Sequence, residues 1–225
     1  MITTLSIAPT ETHLLREIFA NLTPHSCPYD YNFHLHTVCS DGKLTPEAVI
    51  AQAVQHGLKG LAITDHHTMK GYYLAKQWLK TQEMELSLLT LWTGVEINAN
   101  LAGTEVHLLG YGFDPDHPAL IPYIQSDYPY NGLDCASLVI QALHEAGGLV
   151  VLAHPFRYHQ PASLIIPAAV ELGIDGLEAF YAYGNPKPWE SSPAQTEEIC
   201  YFSDIYGLLK TCGTDSHGDS ILRRI

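Results

Sequence analysis

Five short polar clusters each follow a stretch of the sequence that has the composition of a β-strand. They are His34-Leu35-His36, Asp65-His66-His67, Gly94-Val95-Glu96, Ala153-His154-Pro155 and Asp215-Ser216-His217. Side chains alternate between the two faces of a strand, so the imidazoles of His34 and His36 point to the same face and can bind one ion together. One such pair alone is weak evidence, but the repetition of metal-ligating side chains in five clusters predicts a metal-dependent enzyme.

Apolar and amphipathic segments alternate along the chain in a βαβα order. This order is typical of a parallel sheet or barrel with helices packed against the strands. It predicts strands at 33–36, 60–64, 88–96, 106–111, 149–154, 176–179 and 208–214, and helices at 11–21, 45–57, 69–80, 138–146, 168–172 and 193–206. Strands 88–96 and 106–111 are expected to pair as neighbours. We expect one α/β domain, either a closed barrel or an open sheet.

The polar clusters all lie at or near the C-terminal ends of predicted strands. In parallel α/β proteins these ends form the functional site. No cluster contains a thiolate, and imidazoles with carboxylates suit Mn, Fe or Zn in a catalytic site. A bridging carboxylate such as Glu96 can hold two cations, between which a water becomes hydroxide near neutral pH and attacks phosphorus in line. The pattern therefore predicts metal-assisted hydrolysis.

The chain is acidic, with 24 acidic and 11 basic residues and a formal net charge of −13. This balance argues against binding of duplex nucleic acid by broad electrostatic attraction. An anionic substrate remains compatible, because bound divalent cations make a site locally positive. The five scattered cysteines predict reduced thiols, not disulfides or a zinc knuckle. No segment has the pattern of a signal peptide or a membrane span, so we expect a cytoplasmic protein without membrane partners.

Taken in order, the clusters resemble the successive motifs of the PHP (polymerase and histidinol phosphatase) superfamily. The residues that carry the resemblance are His34-x-His36 with Ser40-Asp41-Gly42, Thr64-Asp65-His66, Gly94-Val95-Glu96-Ile97, His107-Leu108-Leu109-Gly110, Ala153-His154-Pro155 and Thr214-Asp215-Ser216-His217. The similarity spans nearly the whole chain and is strongest for the metal-dependent phosphoesterase branch. It implies a distorted (β/α)7 TIM-like barrel, with residues 1–225 as a single domain and a trinuclear metal site.

The resemblance also implies roles for individual residues. Two to three divalent metal ions (Mn, Zn or Fe) have nine implied ligands: His34, His36, Asp41, His66, Glu96, His107, His154, Asp215 and His217. The ions are divided among three ligand groups: His34, His36, Glu96 and Asp215; Glu96, His107 and His154; and Asp41, His66 and His217. His66, Glu96 and His217 are expected to be catalytic, with Asp65 orienting an imidazole or moving a proton. Arg157 is expected to bind a substrate phosphate through its planar guanidinium.

The implied reaction is hydrolysis of a phosphomonoester, on a nucleotide or nucleotide bisphosphate, or of the end of a short oligonucleotide. Two alternatives stay open: a phosphatase for histidinol phosphate or another small metabolite, and a non-catalytic metal-binding regulatory module. Related phosphoesterases carry an inserted subdomain after the motif of His107. This sequence has only a short loop at 114–133 there, with four prolines, which leaves the substrate open.

Several other residues have ordinary structural interpretations. His117 lies in a proline-rich segment and is expected in a turn. His144 is expected to be structural or exposed, and His67 can be an outer contact of the site or face solvent. Tyr181, Tyr183 and Trp189 could stack on a nucleobase, but packing is the more frequent role of such aromatic residues.

Overall fold

A computed structural model describes residues 11–81, 89–124 and 134–225, which form six α-helices and nine β-strands. The helices are α1 Glu11–Ala20, α2 Pro46–His56, α3 Lys70–Thr81, α4 Ala136–Glu145, α5 Ala162–Glu171 and α6 Pro193–Tyr206. The strands are β1 Tyr31–Asn32, β2 Gly60–Ala62, β3 Thr90–Trp92, β4 Gly94–Leu101, β5 Thr104–Tyr111, β6 Asp134–Cys135, β7 Leu149–Leu152, β8 Gly176–Phe180 and β9 Leu209–Cys212. Part of the predicted loop, 125–133, lies outside the described residues.

The strands form two sheets rather than one parallel sheet. Strands β1, β2 and β3 form a parallel sheet, and the other six form a mixed sheet in the order β6-β4-β5-β7-β8-β9. In the mixed sheet β5 is antiparallel to β4 and to β7, whereas β7, β8 and β9 are parallel. Single bridges join the two sheets, between Leu35 and Ser216 and between His66 and Glu96. The fold is mixed α/β, and the strands of the described ranges do not form a closed barrel.

The prediction of one strand at 88–96 is wrong, because the chain changes sheets at Thr93. Strand β3, before Thr93, pairs with β2, whereas β4, after it, pairs with β5. An apolar run does not reveal such a change, because it does not specify which neighbouring strand each part of the run pairs with. The predicted pairing of 88–96 with 106–111 is confirmed by the β4–β5 hairpin, which turns at Ala102-Gly103 with φ of 51° and 82°.

Local sequence signals place the helices well, with one exception. Helix α2 begins after Thr45, whose side chain accepts a hydrogen bond from the N–H of Ala48, and it ends at Gly57, where φ is 72°. Helix α6 has the predicted bounds. Helix α5 begins six residues before the predicted start at 168, with Pro167 inside it. A proline removes a backbone donor, and we attribute its tolerance to burial of the helix face that carries Ile166.

Two groups of buried apolar side chains pack the helices against the sheets. The larger group covers the mixed sheet, in which β7 is buried along its whole length, as expected for a strand covered on both faces. The smaller group includes Leu35, Ile50 and Ile63 and packs α2 against the parallel sheet. The five cysteines are free thiols. Among the described helices, none has the length and apolar character needed to span a membrane.

Candidate metal centre

The strand ends bring the nine predicted ligands to one place. Six of them lie in the loops that follow β1, β2, β7 and β9: His34, His36, His66, His154, Asp215 and His217. Glu96 and His107 lie on the paired strands β4 and β5, and Asp41 lies in the loop before α2. Residues that are up to 183 positions apart in the sequence therefore meet as expected, and their binding of metal stays a prediction.

Glu96 is the centre of this cluster, and its side chain is 1% exposed. Its Oε2 atom lies within 3.4 Å of Nε2 in three imidazoles, those of His34, His36 and His66. Its Oε1 atom lies 2.7 Å from Nδ1 of His107 and 3.4 Å from Nε2 of His154. One buried carboxylate is therefore shared by five imidazoles, which is the arrangement expected of a bridging ligand.

The cluster contains three overlapping groups whose ligand atoms lie within 4.8 Å of one another. They are His36, Asp41, His66 and His217; His34, His36, Glu96 and Asp215; and His66, Glu96 and His107. The group with His34 and Asp215 contains the four ligands that were predicted for one ion. The group with Asp41 and His217 contains the three ligands that were predicted for another ion, together with His36. His154 is outside the third group, although its ring centroid lies 5.1 Å from that of His107.

The chemistry of the cluster fits divalent cations. It combines imidazoles with carboxylates, a donor set that suits Mn, Fe or Zn. His154 is 1% exposed, yet within the described residues neither of its ring nitrogens has a hydrogen-bond partner of suitable geometry. A buried polar group without a partner costs about 1–3 kcal/mol. Binding of a cation by His154 removes this cost, so the residues present fit a metal site.

Ionisation in the metal-free cluster reflects burial and opposite charges. Burial alone would raise the pKa of Glu96, but the imidazole of His34 and two further histidines hold it well below its usual range. Burial would lower the pKa of His36, but hydrogen bonds with Asp215 and Glu96 raise it to about 9. Burial lowers the pKa of His66 to about 3. The buried carboxylates thus keep protons on part of the cluster, where metal cations can replace them.

The two oxygens of Asp215 have different neighbours. Oδ1 lies 3.2 Å from Nε2 of His36. Oδ2 accepts hydrogen bonds from Nη1 of Arg157 at 2.8 Å, the hydroxyl of Tyr181 at 2.8 Å and Nε of Arg224 at 2.7 Å. These three donors fix the carboxylate so that Oδ1 faces the histidines. Arg157 lies beside the predicted ligands, and its binding of a substrate phosphate stays a prediction. The contacts of Tyr181 and Arg224 with this carboxylate were not predicted from the sequence.

Glu178 is another residue that the sequence analysis missed. It is fully buried in β8, where Oε1 lies 2.9 Å from Nδ1 of His34, and Oε2 accepts a hydrogen bond from the N–H of His154 at 2.9 Å. A carboxylate that binds Nδ1 of a histidine fixes the ring and leaves Nε2 for a metal. The only signal in the sequence is one acidic residue inside an apolar strand, where a charge needs a partner.

Tyr158 connects the strand ends that carry two predicted ligands. Its hydroxyl accepts a hydrogen bond from the N–H of His107 at 2.9 Å and donates one to the carbonyl of Ala153 at 2.8 Å. Because Ala153 immediately precedes His154, one tyrosine fixes the spacing of both histidines. No motif in the sequence marks this residue.

Asp65 lies behind the loop that carries Asp41. Its carboxylate accepts hydrogen bonds from the N–H of Thr37 at 2.6 Å, from the Thr37 hydroxyl at 2.7 Å and from the hydroxyl of Ser40 at 2.8 Å. Gly42 completes the tight loop, since a Cβ there would lie 2.5 Å from the backbone of the His-x-His segment. These contacts position Asp41, and the orienting or proton-transfer role of Asp65 stays a prediction.

The remaining candidates have structural contacts. His67 hydrogen-bonds through both ring nitrogens to backbone groups at positions 98 and 123. His117 caps a short 3-10 helix in the predicted turn, and the exposed imidazole of His144 pairs with the carboxylate of Asp175. Tyr181 is buried, and its ring packs against that of Tyr183 with centroids 4.8 Å apart. These contacts favour the packing interpretation over stacking on a nucleobase.

A cleft of about 360 Å³ opens beside the cluster. It is lined by the β4–β5 turn and the loop after β7, with His107, His154, Arg157 and Tyr158 among its walls. Its volume is within the range of small-molecule sites, about 300–1,000 Å³. A larger cavity of about 680 Å³, between α3 and segment 115–124, contains none of the nine predicted ligands. The cleft is therefore the better candidate for substrate binding.

A family model for the PHP domain matches residues 32–181. This chain belongs to the PHP domain family. The PHP chain is 34% identical to phosphoribosyl 1,2-cyclic phosphate 1,2-diphosphodiesterase of Eggerthella lenta, with 83% of this chain and 94% of that protein covered. It is 35% identical to a 5'-3' exoribonuclease of Haemophilus influenzae, with 43% of this chain and 33% of that enzyme covered. The chain therefore spans about a third of the length of this second relative.

The fold of the PHP chain also has solved counterparts. A protein of Bifidobacterium adolescentis assigned as a metal-dependent phosphoesterase superimposes with a TM-score of 0.68 and 24% identity, covering 85% of this chain and 89% of that one. At this identity the likeness concerns the fold alone. By their names, the two sequence relatives are an exoribonuclease and a diphosphodiesterase.

Proposed function

We propose that this PHP chain is a metal-dependent phosphoesterase that hydrolyses a phosphomonoester, on a nucleotide or nucleotide bisphosphate, or the end of a short oligonucleotide. The observation that carries the proposal is the position of Glu96, whose carboxylate lies within 3.4 Å of five imidazoles. A carboxylate offers about four acceptor sites. Five ring nitrogens around one carboxylate exceed this number, and divalent cations bound by the same atoms would account for such a concentration of ligand atoms.

The proposed site holds two to three ions of Mn, Zn or Fe on the nine ligands, at the strand ends of the two sheets. We interpret these sheets as an open, distorted form of the expected seven-unit barrel, which the chain forms as one domain. Bound ions of this kind neutralise charge on phosphoryl oxygens and lower the pKa of water. Glu96 belongs to two of the candidate ligand groups and would therefore contribute to more than one ion site. The side chains of Asp41 and His217 are 34% and 21% exposed, so they form the edge at which a phosphoryl group can enter, while Glu178 and Asp65 hold the ligands in place.

The proposed substrate is small. The phosphoryl group binds at the metal centre near Arg157, and the 360 Å³ cleft next to it has room for the leaving group. A net charge of −13 opposes binding of long duplex nucleic acid, which depends on contacts between basic residues and phosphates. These features favour a mononucleotide or a short single strand over a duplex.

Hydrolysis of a small cyclic phosphodiester is the second candidate. It is favoured by the match to the Eggerthella lenta enzyme, because that match covers 94% of the enzyme. The same donor set can serve both reactions, since either one needs positioned cations at the phosphoryl oxygens. The two candidates differ in the number of free phosphoryl oxygens that the site must bind.

The first experiment measures hydrolysis of p-nitrophenyl phosphate and bis-p-nitrophenyl phosphate by metal-free protein after addition of Mn²⁺, Zn²⁺ or Fe²⁺. We expect metal-dependent release of p-nitrophenol, and its loss in His34→Ala. The matched control is His144→Ala, which removes an imidazole that is 39% exposed and lies outside the metal centre. Equal activity in the two variants would contradict the assignment of the site.

A substrate panel then separates the candidate functions. It contains a nucleoside 3',5'-bisphosphate, a short 5'-phosphorylated RNA, histidinol phosphate and ribose 1,2-cyclic phosphate. The proposal predicts the highest kcat/KM for one of the first two. Preference for the cyclic ester supports the second candidate, and preference for histidinol phosphate supports a metabolite phosphatase. No hydrolysis with any metal would overturn the enzymatic proposal in favour of a regulatory metal-binding module.

A further inference from the structure

Residues 218–225 fold back against the candidate metal centre and are held there by Ile221. This side chain is fully buried. Its carbonyl accepts hydrogen bonds from the side chains of Asn32 and Thr214, both at 2.9 Å, and its N–H donates to the side chain of Gln52 at 2.9 Å. The segment is therefore fixed relative to the strand ends of both sheets.

Arg224 lies three residues after this anchor, against the loop that carries Asp215 and His217. Its carbonyl accepts hydrogen bonds from the N–H of His217 at 2.7 Å and of Gly218 at 3.2 Å. Its Nε donates to Oδ2 of Asp215 at 2.7 Å. Backbone and side-chain contacts together fix its guanidinium at the edge of the centre.

Arg157 approaches the same carboxylate oxygen from the loop after β7. Its Nη1 lies 2.8 Å from Oδ2 of Asp215, and Nε of Arg224 lies 2.7 Å from that atom, so the two nitrogens are at most 5.5 Å apart. Two positive charges at this separation repel each other. Asp215 is the one carboxylate that the structure places between them, and its other oxygen faces the predicted metal ligands. A second anion near the pair is therefore electrostatically favoured.

Both arginines keep donors for such an anion. A guanidinium has five N–H groups. Within the described residues, the side chain of Arg224 makes one hydrogen bond, through Nε, and that of Arg157 bonds only through Nη1. The two side chains are 23% and 35% exposed, so their remaining N–H groups can reach a ligand from solvent.

We propose that Arg157 and Arg224 form a two-arginine clamp that binds the phosphoryl group of the substrate beside the metal centre. This inference rests on the proposed phosphoesterase function and adds Arg224 to it as a residue that determines specificity. A phosphomonoester has three free phosphoryl oxygens, whereas a diester has two. Binding to both guanidiniums and to the metal centre at once uses all three free oxygens of a monoester. The clamp therefore favours terminal phosphomonoesters over diesters.

The test is calorimetric titration of Mn²⁺-loaded protein with inorganic phosphate. Charge-assisted hydrogen bonds are the strong ones, and we expect Arg224→Gln to weaken phosphate binding about 10- to 100-fold with unchanged metal content. Arg224→Lys keeps the charge without the planar fork and should give an intermediate loss. The control is Arg223→Gln, which removes an arginine paired with exposed Asp219 at 3.0 Å and should change binding less than about twofold.

The results separate the clamp from the catalytic proposal. Arg224→Gln should lower kcat/KM for the monoester more than for bis-p-nitrophenyl phosphate, mainly through KM. Equal effects of Arg224→Gln and Arg223→Gln, or a loss of metal in Arg224→Gln that accounts for the weaker binding, would overturn the clamp. Absence of phosphate binding in the wild-type protein would overturn it as well. Hydrolysis of p-nitrophenyl phosphate by the wild type tests the phosphoesterase function separately.

Discussion

The metal centre and a second polar cluster at the opposite strand ends use the same residue types in different ways. At those opposite ends Asp175, just before β8, binds His144 at 2.8 Å, the N–H of Val150 at 2.9 Å and the guanidinium of Arg16. Each of its oxygens has dedicated hydrogen-bond donors, and the side chains of His144 and Arg16 are 39% and 52% exposed. This cluster is complete with protein groups alone and joins α1, α4 and two strands.

The carboxylate of Glu96, in contrast, has more neighbouring ring nitrogens than it has oxygens to bind them. Its two oxygens are shared among five imidazoles, and the carboxylate is almost fully buried. Among the described residues, neither ring nitrogen of His154 has a hydrogen-bond partner of suitable geometry. The comparison teaches that residue type does not distinguish a structural ion pair from a metal site. Two other features distinguish them: a metal site has more ligand atoms than hydrogen bonds among them can satisfy, and it lies at the C-terminal ends of the strands.

The largest effect is expected from Glu96→Gln. The amide keeps the size of the side chain but removes the charge that the histidines share. We therefore expect loss of bound metal and a fall in kcat/KM of more than about 100-fold, which exceeds the effect of changing a residue that only hydrogen-bonds a ligand. Metal content by inductively coupled plasma mass spectrometry and p-nitrophenyl phosphate hydrolysis provide the measurement. If Glu96→Gln retained its full metal content, Glu96 would not be a metal ligand, and its cluster would not differ in this respect from the cluster around Asp175.

A smaller loss is expected from Glu178→Gln. The amide can still contact His34 and the backbone of His154, but it no longer carries the charge that fixes the tautomer of His34. Changing a residue that hydrogen-bonds a metal ligand typically weakens metal binding about 10- to 100-fold. Competition with a chromophoric chelator measures the affinity. An affinity within twofold of the wild type would show that Glu178 is only a packing residue.

Metal affinity should also depend on pH. Because the pKa of His36 in the metal-free protein is raised to about 9, this imidazole is protonated at pH 7 and must release its proton when it binds a metal. We therefore expect affinity to rise with pH up to about 9, by about tenfold per pH unit for one released proton. Titration of the metal in two buffers of different ionisation enthalpy counts the protons. Identical heats in both buffers would contradict the prediction.

The smallest effect on activity is expected from Asp175→Asn. The change weakens charge-assisted hydrogen bonds at the opposite strand ends, so the free energy of unfolding should fall by about 1–2 kcal/mol, while kcat/KM and metal content stay within about twofold of the wild type. Urea unfolding and the hydrolysis assay measure the two quantities. A loss of metal in this variant would mean that the two clusters are coupled.

The resemblance to the PHP motifs predicts that nine particular side chains meet at one place, and strand alternation explains why His34 and His36 share a direction. That these side chains bind metal stays a prediction. The sequence predicts α6 and the limits of α2 because capping residues act locally. It does not predict Glu178, Tyr158 or Arg224, whose roles arise from contacts between distant segments. Nor does it predict two sheets, since the change of sheet at Thr93 depends on which neighbours β3 and β4 find.

The most direct test of the central claim is anomalous diffraction from crystals of the protein loaded with Mn²⁺. The account predicts two or three anomalous peaks at the Mn edge, with at least one within coordination distance, about 2.0–2.3 Å, of a Glu96 oxygen. It also predicts that no such peak lies near Asp175. Anomalous peaks confined to the protein surface, with none beside Glu96, would contradict it.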